Sequence, residues 1–351
     1  MSLRVLRPGL LTTVQDLGRF GYQHAGIVVS GAMDATALLV ANLLVGNPER
    51  AAGLEITLFG PRLRFEADHL LALTGAHLSP TLNGQPVPLN RPVAVRAGAE
   101  LAFGAAVAGC RAYLAVAGGV AVAPVLGSRS TYLRAGLGGL HGRALATGDA
   151  LLTVEPAAVS AQLMHRLQQT RRQQQLAAGW AAARWTPGPA LCPTPQPNPV
   201  IRALPGPEYE QFSAASQSAF WQQPFTVTAA ADRMGYRLQG PPLERLTTAE
   251  LLSSAVAFGT VQVPAGGQPI VLMADHQTTG GYPRIAQVIT TDWSALAQVR
   301  PGGVLRFAEV TLAEAQALYL AQEQALQALR QGIESKLNAI SSAAEMFRVL
   351  H

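Results

Sequence analysis

The segment Val95-Arg96-Ala97-Gly98-Ala99-Glu100-Leu101-Ala102-Phe103 is answered about 200 residues later by Val299-Arg300-Pro301-Gly302-Gly303-Val304-Leu305-Arg306-Phe307. In both, a glycine turn feeds a run alternating between apolar and other residues, the period of a half-buried strand. Other segments pair in the same way. Leu54 to Gly60 matches Ser253 to Gly259, and Leu70 to Gly75 matches Ile270 to Asp275. Asp16-x-x-Arg19-x-Gly21-Tyr22 has a looser counterpart in Asp232-Arg233-Met234-Gly235-Tyr236. The pairs keep one order at offsets near 200, so two copies of one β-rich unit are predicted.

Working outward, Asn83-Gly84 marks a hairpin between short strands. The glycine-punctuated stretch Thr12 to Tyr22 reads as a loop carrying Asp16 and Arg19. Asp34 is placed to cap a helix over Ala35 to Val45, which stops at Gly46-Asn47-Pro48. Residues 157–185 are rich in Ala, Gln, Arg and Leu, a solvated helix, and Pro187 to Pro199 reads as a linker. The resulting division is a first β-rich unit at 1–156, a helical insert and linker at 157–199, a second unit at 200–310 and a helical tail at 311–351. A capping box, Thr311-Leu312-Ala313-Glu314, opens the tail.

Composition narrows the function classes. Charged residues are only 13% of the chain against 49% hydrophobic, which leaves a lean surface for a partner to cover. The net charge is +5, but the arginines are scattered without interleaved aromatics, which argues against nucleic-acid binding. Lys336 is the only lysine and lies in the tail. A phosphate loop of the G-x-x-x-x-G-K-[ST] type, a Schiff-base lysine and a biotin-carrying lysine are therefore excluded. Cys110 and Cys192 stand in unlike contexts and suggest neither a disulfide framework nor a zinc site. The N-terminus lacks the apolar core of a signal peptide, and the apolar stretch Gly104 to Leu126 is interrupted by Arg111, Gly118-Gly119 and Pro124. A cytoplasmic protein is expected.

Between the strand candidates Pro269 to Met273 and Ile285 to Ile289 lies Ala274-Asp275-His276-Gln277-Thr278-Thr279-Gly280-Gly281-Tyr282-Pro283. The Gly280-Gly281 pair is expected to let backbone N–H groups converge on a ligand. Asp275, Gln277, Thr278 and Thr279 would add side-chain donors and acceptors as the catalytic set. The competing reading is a hairpin tip whose polar residues satisfy only their own turn.

Five stretches together carry a family resemblance: Pro8 to Arg19, Ser30 to Asp34, Gly127 to Tyr132, Asp232 to Tyr236 and Asp275 to Pro283. From about residue 4 to 310 the chain resembles the allophanate hydrolase subunit 2 family. Its members include the C subunit of the ATP-dependent bacterial 5-oxoprolinase and the matching part of the carboxyltransferase domain of urea carboxylase. The resemblance implies a mainly β fold with some α, in which two tandem cyclophilin-like β-barrel units precede a C-terminal helix. It also implies two partners in one complex, a B subunit of the allophanate hydrolase subunit 1 type and an A subunit. The helix at 157–185 and the tail are longer than the family pattern requires.

The function this implies is the ATP-coupled opening of 5-oxo-L-proline to L-glutamate, with the chain inactive alone. ATP and magnesium would be held by other subunits, with no cofactor or metal on this chain. Alternatives are a carboxyltransferase half-site of a biotin-dependent urea carboxylase and allophanate hydrolase system, with biotin supplied in trans, or a non-catalytic regulatory subunit that acts on a kinase inhibitor. A guanidinium offers paired donors to a carboxylate, so Arg129, Arg134 and Arg233 are the substrate-binding candidates. Thr131, Tyr132, Asp232, Gly280, Gly281 and Tyr282 complete that set, while Asp16 and Arg19 brace a loop or belong to the site. For Arg233 the competing reading is a salt bridge to Asp232.

Overall fold

Alternation builds the first half of the computed structural model, which describes residues 1–173, 179–247 and 249–348. Leu3, Val5, Leu63 and Phe65 point inward, while Arg4, Arg62 and Arg64 face solvent beside Glu66 and Glu100. Burying apolar area at roughly 25 cal/mol per Å² fixes that orientation. Their strands lie in a six-stranded sheet ordered Ala150–Leu152, Ser2–Arg7, Arg62–Phe65, Glu100–Ala102, Thr81–Leu82, Gln85–Pro86.

A second sheet runs Trp180–Ala182, Val93–Val95, His69–His77, Ala108–Val116, Gly53–Thr57, Leu11–Gln15. One face shares a core with the first sheet through Leu54, Ile56, Leu73 and Leu114. The opposite face packs on the helices Ala35–Leu44, Ala158–Gln173 and Leu312–Arg348, through Leu44, Leu163 and Leu326. Buried on both faces, its long strands read in sequence as nearly unbroken apolar runs.

In the second half seven strands close into a barrel: Val200–Pro205, Arg284–Val288, Thr260–Gln262, Ile270–Leu272, Gly235–Gln239, Phe225–Val227 and Val304–Glu309. The last returns parallel to the first. Phe220 stacks on Phe307 at 4.5 Å between centroids, with Phe225 at 6.0 Å from each, to fill one end of the barrel core. The chain is thus mainly β, with a barrel and a C-terminal helix.

The echoed turn has one geometry in both halves. Gly98 and Gly302 take φ of 83° and 81°, the left-handed region where glycine costs least. Gly98 N–H donates to the Phe65 carbonyl and Phe65 N–H to the Ala99 carbonyl; Gly302, Val227 and Gly303 repeat the pair. Phe65 and Val227 do not share the offset of the turns they hold, so element spacing differs between the halves. Ser253 to Gly259 and Ile270 to Asp275 contain only the short strands Ser254–Ala255 and Ile270–Leu272, where the first half has Gly53–Thr57 and His69–His77.

Two expectations need correction. The stretch read as a loop from Thr12 begins as the edge strand Leu11–Gln15, because Thr12, Thr13 and Val14 are β-branched and buried. The helix expected at 157–185 spans Ala158–Gln173, and Trp180–Ala182 is a strand added to the free edge of Val93–Val95. Residues 174–178 lie outside the described residues. The capping box forms: Thr311 Oγ1 accepts from Glu314 N–H at 3.2 Å, and Glu314 Oε2 accepts from Thr311 N–H at 2.7 Å. No described helix is long and apolar enough to cross a membrane.

Candidate active site at the seam of the two units

The strands flanking Ala274 to Pro283 do not pair with each other. Thr260–Gln262 lies between them, so the stretch crosses the barrel end and is not a hairpin tip. Its beginning is buried and its end open. Asp275 and His276 are 3% and 7% exposed, whereas Tyr282 is 52% exposed.

Asp275 is held on both oxygens by Arg233, with Nε at 2.9 Å from Oδ2 and Nη2 at 3.0 Å from Oδ1. Arg233 Nη1 donates to Glu55 Oε1 in the first unit, and Nη2 also donates to the Gly31 carbonyl at 2.6 Å. Burial alone would lower this guanidinium, but Asp275 and Glu55 hold its pKa above the usual range. The salt bridge to Asp232 does not form. Asp232 Oδ1 instead accepts from Met234 N–H at 2.8 Å and Gly235 N–H at 3.1 Å, closing its own turn.

Glu55 Oε2 accepts from Met33 N–H at 2.8 Å and from the Tyr113 hydroxyl at 2.7 Å. Next to it, Arg111 donates to the Tyr236 hydroxyl and to the Ala297 carbonyl at 2.7 Å, and burial pushes the Tyr236 hydroxyl up to about 12. Gln298 stitches the two units together. Its Oε1 accepts from Cys110 and Arg111 N–H, both at 3.0 Å, and its Nε2 donates to Asp34 Oδ2 at 2.8 Å. Burial holds the Asp34 carboxyl above the usual carboxylate range.

A second cluster adjoins the first through Gly31. Asp16 Oδ1 accepts from Gly18 N–H at 2.8 Å and from the hydroxyls of Ser128 and Ser130, and Oδ2 accepts from Arg129 N–H at 2.6 Å. Arg19, 1% exposed, donates from Nη2 to the Ser130 carbonyl at 2.5 Å. Its Nε and Nη1 have no partner among the described residues, and burial lowers its pKa. Thr131 donates from Oγ1 to the Val14 carbonyl at 2.9 Å. The Thr131 carbonyl accepts from Ser30 Oγ at 3.3 Å. Five motifs far apart in sequence therefore share one hydrogen-bonded network.

The groups left free lie at its edge. Arg134 is exposed, rests against the Met234 sulfur and has no acidic partner among the described residues. With Arg111, Asp232, Arg233 and Asp275 it lines a cleft of about 280 Å³ between the units. Arg129 donates from Nε to the Val122 carbonyl at 3.0 Å, and Tyr132 is engaged through its backbone with Leu137. Thr278 and Thr279 hydroxyls make no hydrogen bond among the described residues, and Gln277 Nε2 donates to Gln262 at 3.3 Å. None of these three lines the cleft.

The N–H cradle expected at Gly280-Gly281 is absent. Neither residue has a positive φ, and Thr279–Gly280 pairs with Ser254–Ala255 as a two-stranded ribbon. Space beside both glycines is close, although the nearest group at Gly280 is the movable end of a side chain. A Cβ on Gly280 would lie 2.5 Å from Gln262 Nε2, and one on Gly281 would lie 3.2 Å from the Leu251 carbonyl oxygen. Among the described residues no group of three His, Cys, Asp or Glu is placed to hold a metal ion.

The profile of the carboxyltransferase domain, subdomain A and B, matches residues 25–309, which contain the whole barrel and most of the seam. The chain belongs to that family. It is 45% identical over 313 residues to the C subunit of 5-oxoprolinase from Escherichia coli, covering 89% of this chain and 93% of the relative. The Haemophilus influenzae protein of the same name is 41% identical over 324 residues, covering 92% and 96%. Among solved structures, the Kluyveromyces lactis urea carboxylase superposes with a TM-score of 0.82 at 28% identity, over 95% of this chain. This chain spans only 29% of that longer one.

Within this member of the carboxyltransferase family, the sequence reading assigned no site role to several seam residues, among them Glu55, Arg111, Tyr236, His276 and Gln298. Glu55 left a faint signal as the one acid in an apolar strand, Gly53-Leu54-Glu55-Ile56-Thr57. His276 stood in the quoted loop itself. Its Nδ1 lies 2.6 Å from the Gln277 carbonyl, which requires the proton on Nδ1 and leaves the lone pair on Nε2. Burial lowers its pKa, favouring that neutral form.

Proposed function

We propose that this chain is the C subunit of an ATP-dependent 5-oxoprolinase, a cytoplasmic complex that opens 5-oxo-L-proline to L-glutamate. The observation that carries the reading is the 45% identity to a protein of that name across 93% of its length. The cleft suits the substrate class. 5-Oxoproline pairs a carboxylate with a cyclic amide, and Arg134 offers an unengaged guanidinium for the carboxylate. Thr278, Thr279 and Gln277 lie outside that cleft and are assigned as oxyanion donors that a partner protein would bring over the opening ring by covering the loop. Partners of the A and B type complete the enzyme. Nucleotide and magnesium are assigned to them, since Lys336, the sole lysine, is exposed on the C-terminal helix.

The test is reconstitution with the neighbouring subunits. Glutamate release from 5-oxoproline, matched by ATP hydrolysis, is expected only from the full assembly. An assembly that turns over urea and leaves 5-oxoproline untouched, or micromolar Mg-ATP binding to the isolated chain in calorimetry, overturns the reading. The likeness to urea carboxylase favours one second reading, a carboxyltransferase half-site served by a biotin carrier. Turnover that requires an added biotinylated carrier would establish it.

A further inference from the structure

We infer that Glu55 is a positioning residue for the loop that begins at Asp275, acting across the seam through Arg233. Each link is present in the geometry. Glu55 Oε2 is fixed within the first unit by Met33 N–H and the Tyr113 hydroxyl, and Tyr113 is itself held by Asp34 N–H at 2.8 Å. Oε1 reaches the second unit at Arg233. The opposite edge of that guanidinium grips both oxygens of Asp275, and Asp275 N–H donates back to the Arg233 carbonyl at 2.8 Å. Asp275 is thereby fixed by side chain and backbone, and residues 276–278 lead from it to the ribbon at Thr279–Gly280.

The charge arrangement makes the link directional. Arg111 Nε lies 4.0 Å from the same Glu55 oxygen, so two guanidinium groups face the two carboxylates of Glu55 and Asp275. Without the Glu55 charge, Arg233 loses the partner that fixes its Nη1, is held on the first unit by the Gly31 carbonyl alone, and the bidentate grip that sets the loop would lose its orientation. The cleft lies between the same two units, so the link also sets the position of Arg134 relative to the loop. Asp275 takes a positioning role on this argument, because both of its oxygens are engaged.

The test has one arm independent of activity and one that rests on the 5-oxoprolinase reading. Hydrogen exchange on the isolated chain follows the amides of 274–282, with those of Phe225–Val227 as an internal control. Glu55→Gln is expected to speed loop exchange about tenfold and leave the control unchanged. Tyr113→Phe removes one anchor of Glu55 without stranding a charge, and should speed loop exchange about threefold. It carries the test if Glu55→Gln does not fold. In the assembled enzyme, Glu55→Gln and Asp275→Asn should each lower kcat about tenfold. The double variant should be no slower than the worse single one, because both act through one arginine. Unchanged loop exchange in a folded variant, or losses that multiply in the double variant, overturns the inference. Failure of the wild-type assembly on 5-oxoproline would count against the functional reading alone, since the exchange arm stands without it.

Discussion

Arg233 and Arg134 line one cleft and differ in what they already hold. Arg233 is buried and donates to two acids and a carbonyl, while Arg134 is exposed with no acidic partner among the described residues. Both were equal candidates as guanidinium groups in glycine-rich motifs. The difference shows that an arginine in a motif is available to a ligand only when its donors are not committed to the fold. Arg233 ties the units together, and Arg134 keeps the donors on which the proposed substrate contact rests.

The sharpest way to break this contrast is Asp275→Ala. It takes from a buried guanidinium one of its two acids and leaves Glu55 and the Gly31 carbonyl in place, so the loss is expected at about 3 kcal/mol, the low end for breaking a buried ion pair. Urea unfolding of the isolated chain should show that loss, with Arg134→Ala within about 0.5 kcal/mol of wild type. Equal stability of the two variants would erase the distinction.

His69 separates burial from partnering. It is 1% exposed beside Phe65, and the nearby Ser2 backbone makes no hydrogen bond of good geometry with either ring nitrogen. Burial lowers its pKa to about 4 from the usual 6.5. Between those values the unfolded chain binds a proton that the native state refuses, so stability is full above pH 6.5 and falls as the pH drops toward 4. The loss is up to about 3 kcal/mol at 1.36 kcal/mol per pH unit. His69→Phe should flatten that part of the stability profile, and an unchanged slope would show that the ring is not kept neutral.

The smallest effect belongs to the free side of the cleft. A charge-assisted contact is worth about 1.5–3 kcal/mol, so Arg134→Ala in the assembled enzyme should lower kcat/KM for 5-oxoproline by about 10–100-fold. Most of the change should fall on KM, since a carboxylate is bound alike before and during ring opening. Wild-type kinetics would remove Arg134 from the site.

Elements with local causes were legible in the sequence. The turns at Gly98 and Gly302, the Asp34 cap and the capping box at Thr311 all appear where the residues placed them. The five motifs were legible as a set, and the structure joins them. Their roles were not, because the deciding partners are remote. Arg233 and Glu55 are 178 residues apart, and nothing near either announces the other. An acid alternating with Leu54 and Ile56 reads as solvent-facing, yet the outer face of that strand is covered by the second unit. The Gly280-Gly281 pair reads as a source of backbone freedom, yet neither residue takes a positive φ.

The parallel contact between Val200–Pro205 and Val304–Glu309 has a consequence for how the protein is made. The first barrel strand leaves the ribosome about 100 residues before the strand that closes the barrel. At 5–20 residues per second that is a wait of roughly 5–20 s with an open strand edge. Over that interval the nascent barrel resembles an edge strand seeking a neighbour, the form most prone to pair with another chain. Synthesis rate across residues 206–303, and chaperone supply while they emerge, should therefore govern the yield of soluble protein more strongly than either does during the first 150 residues.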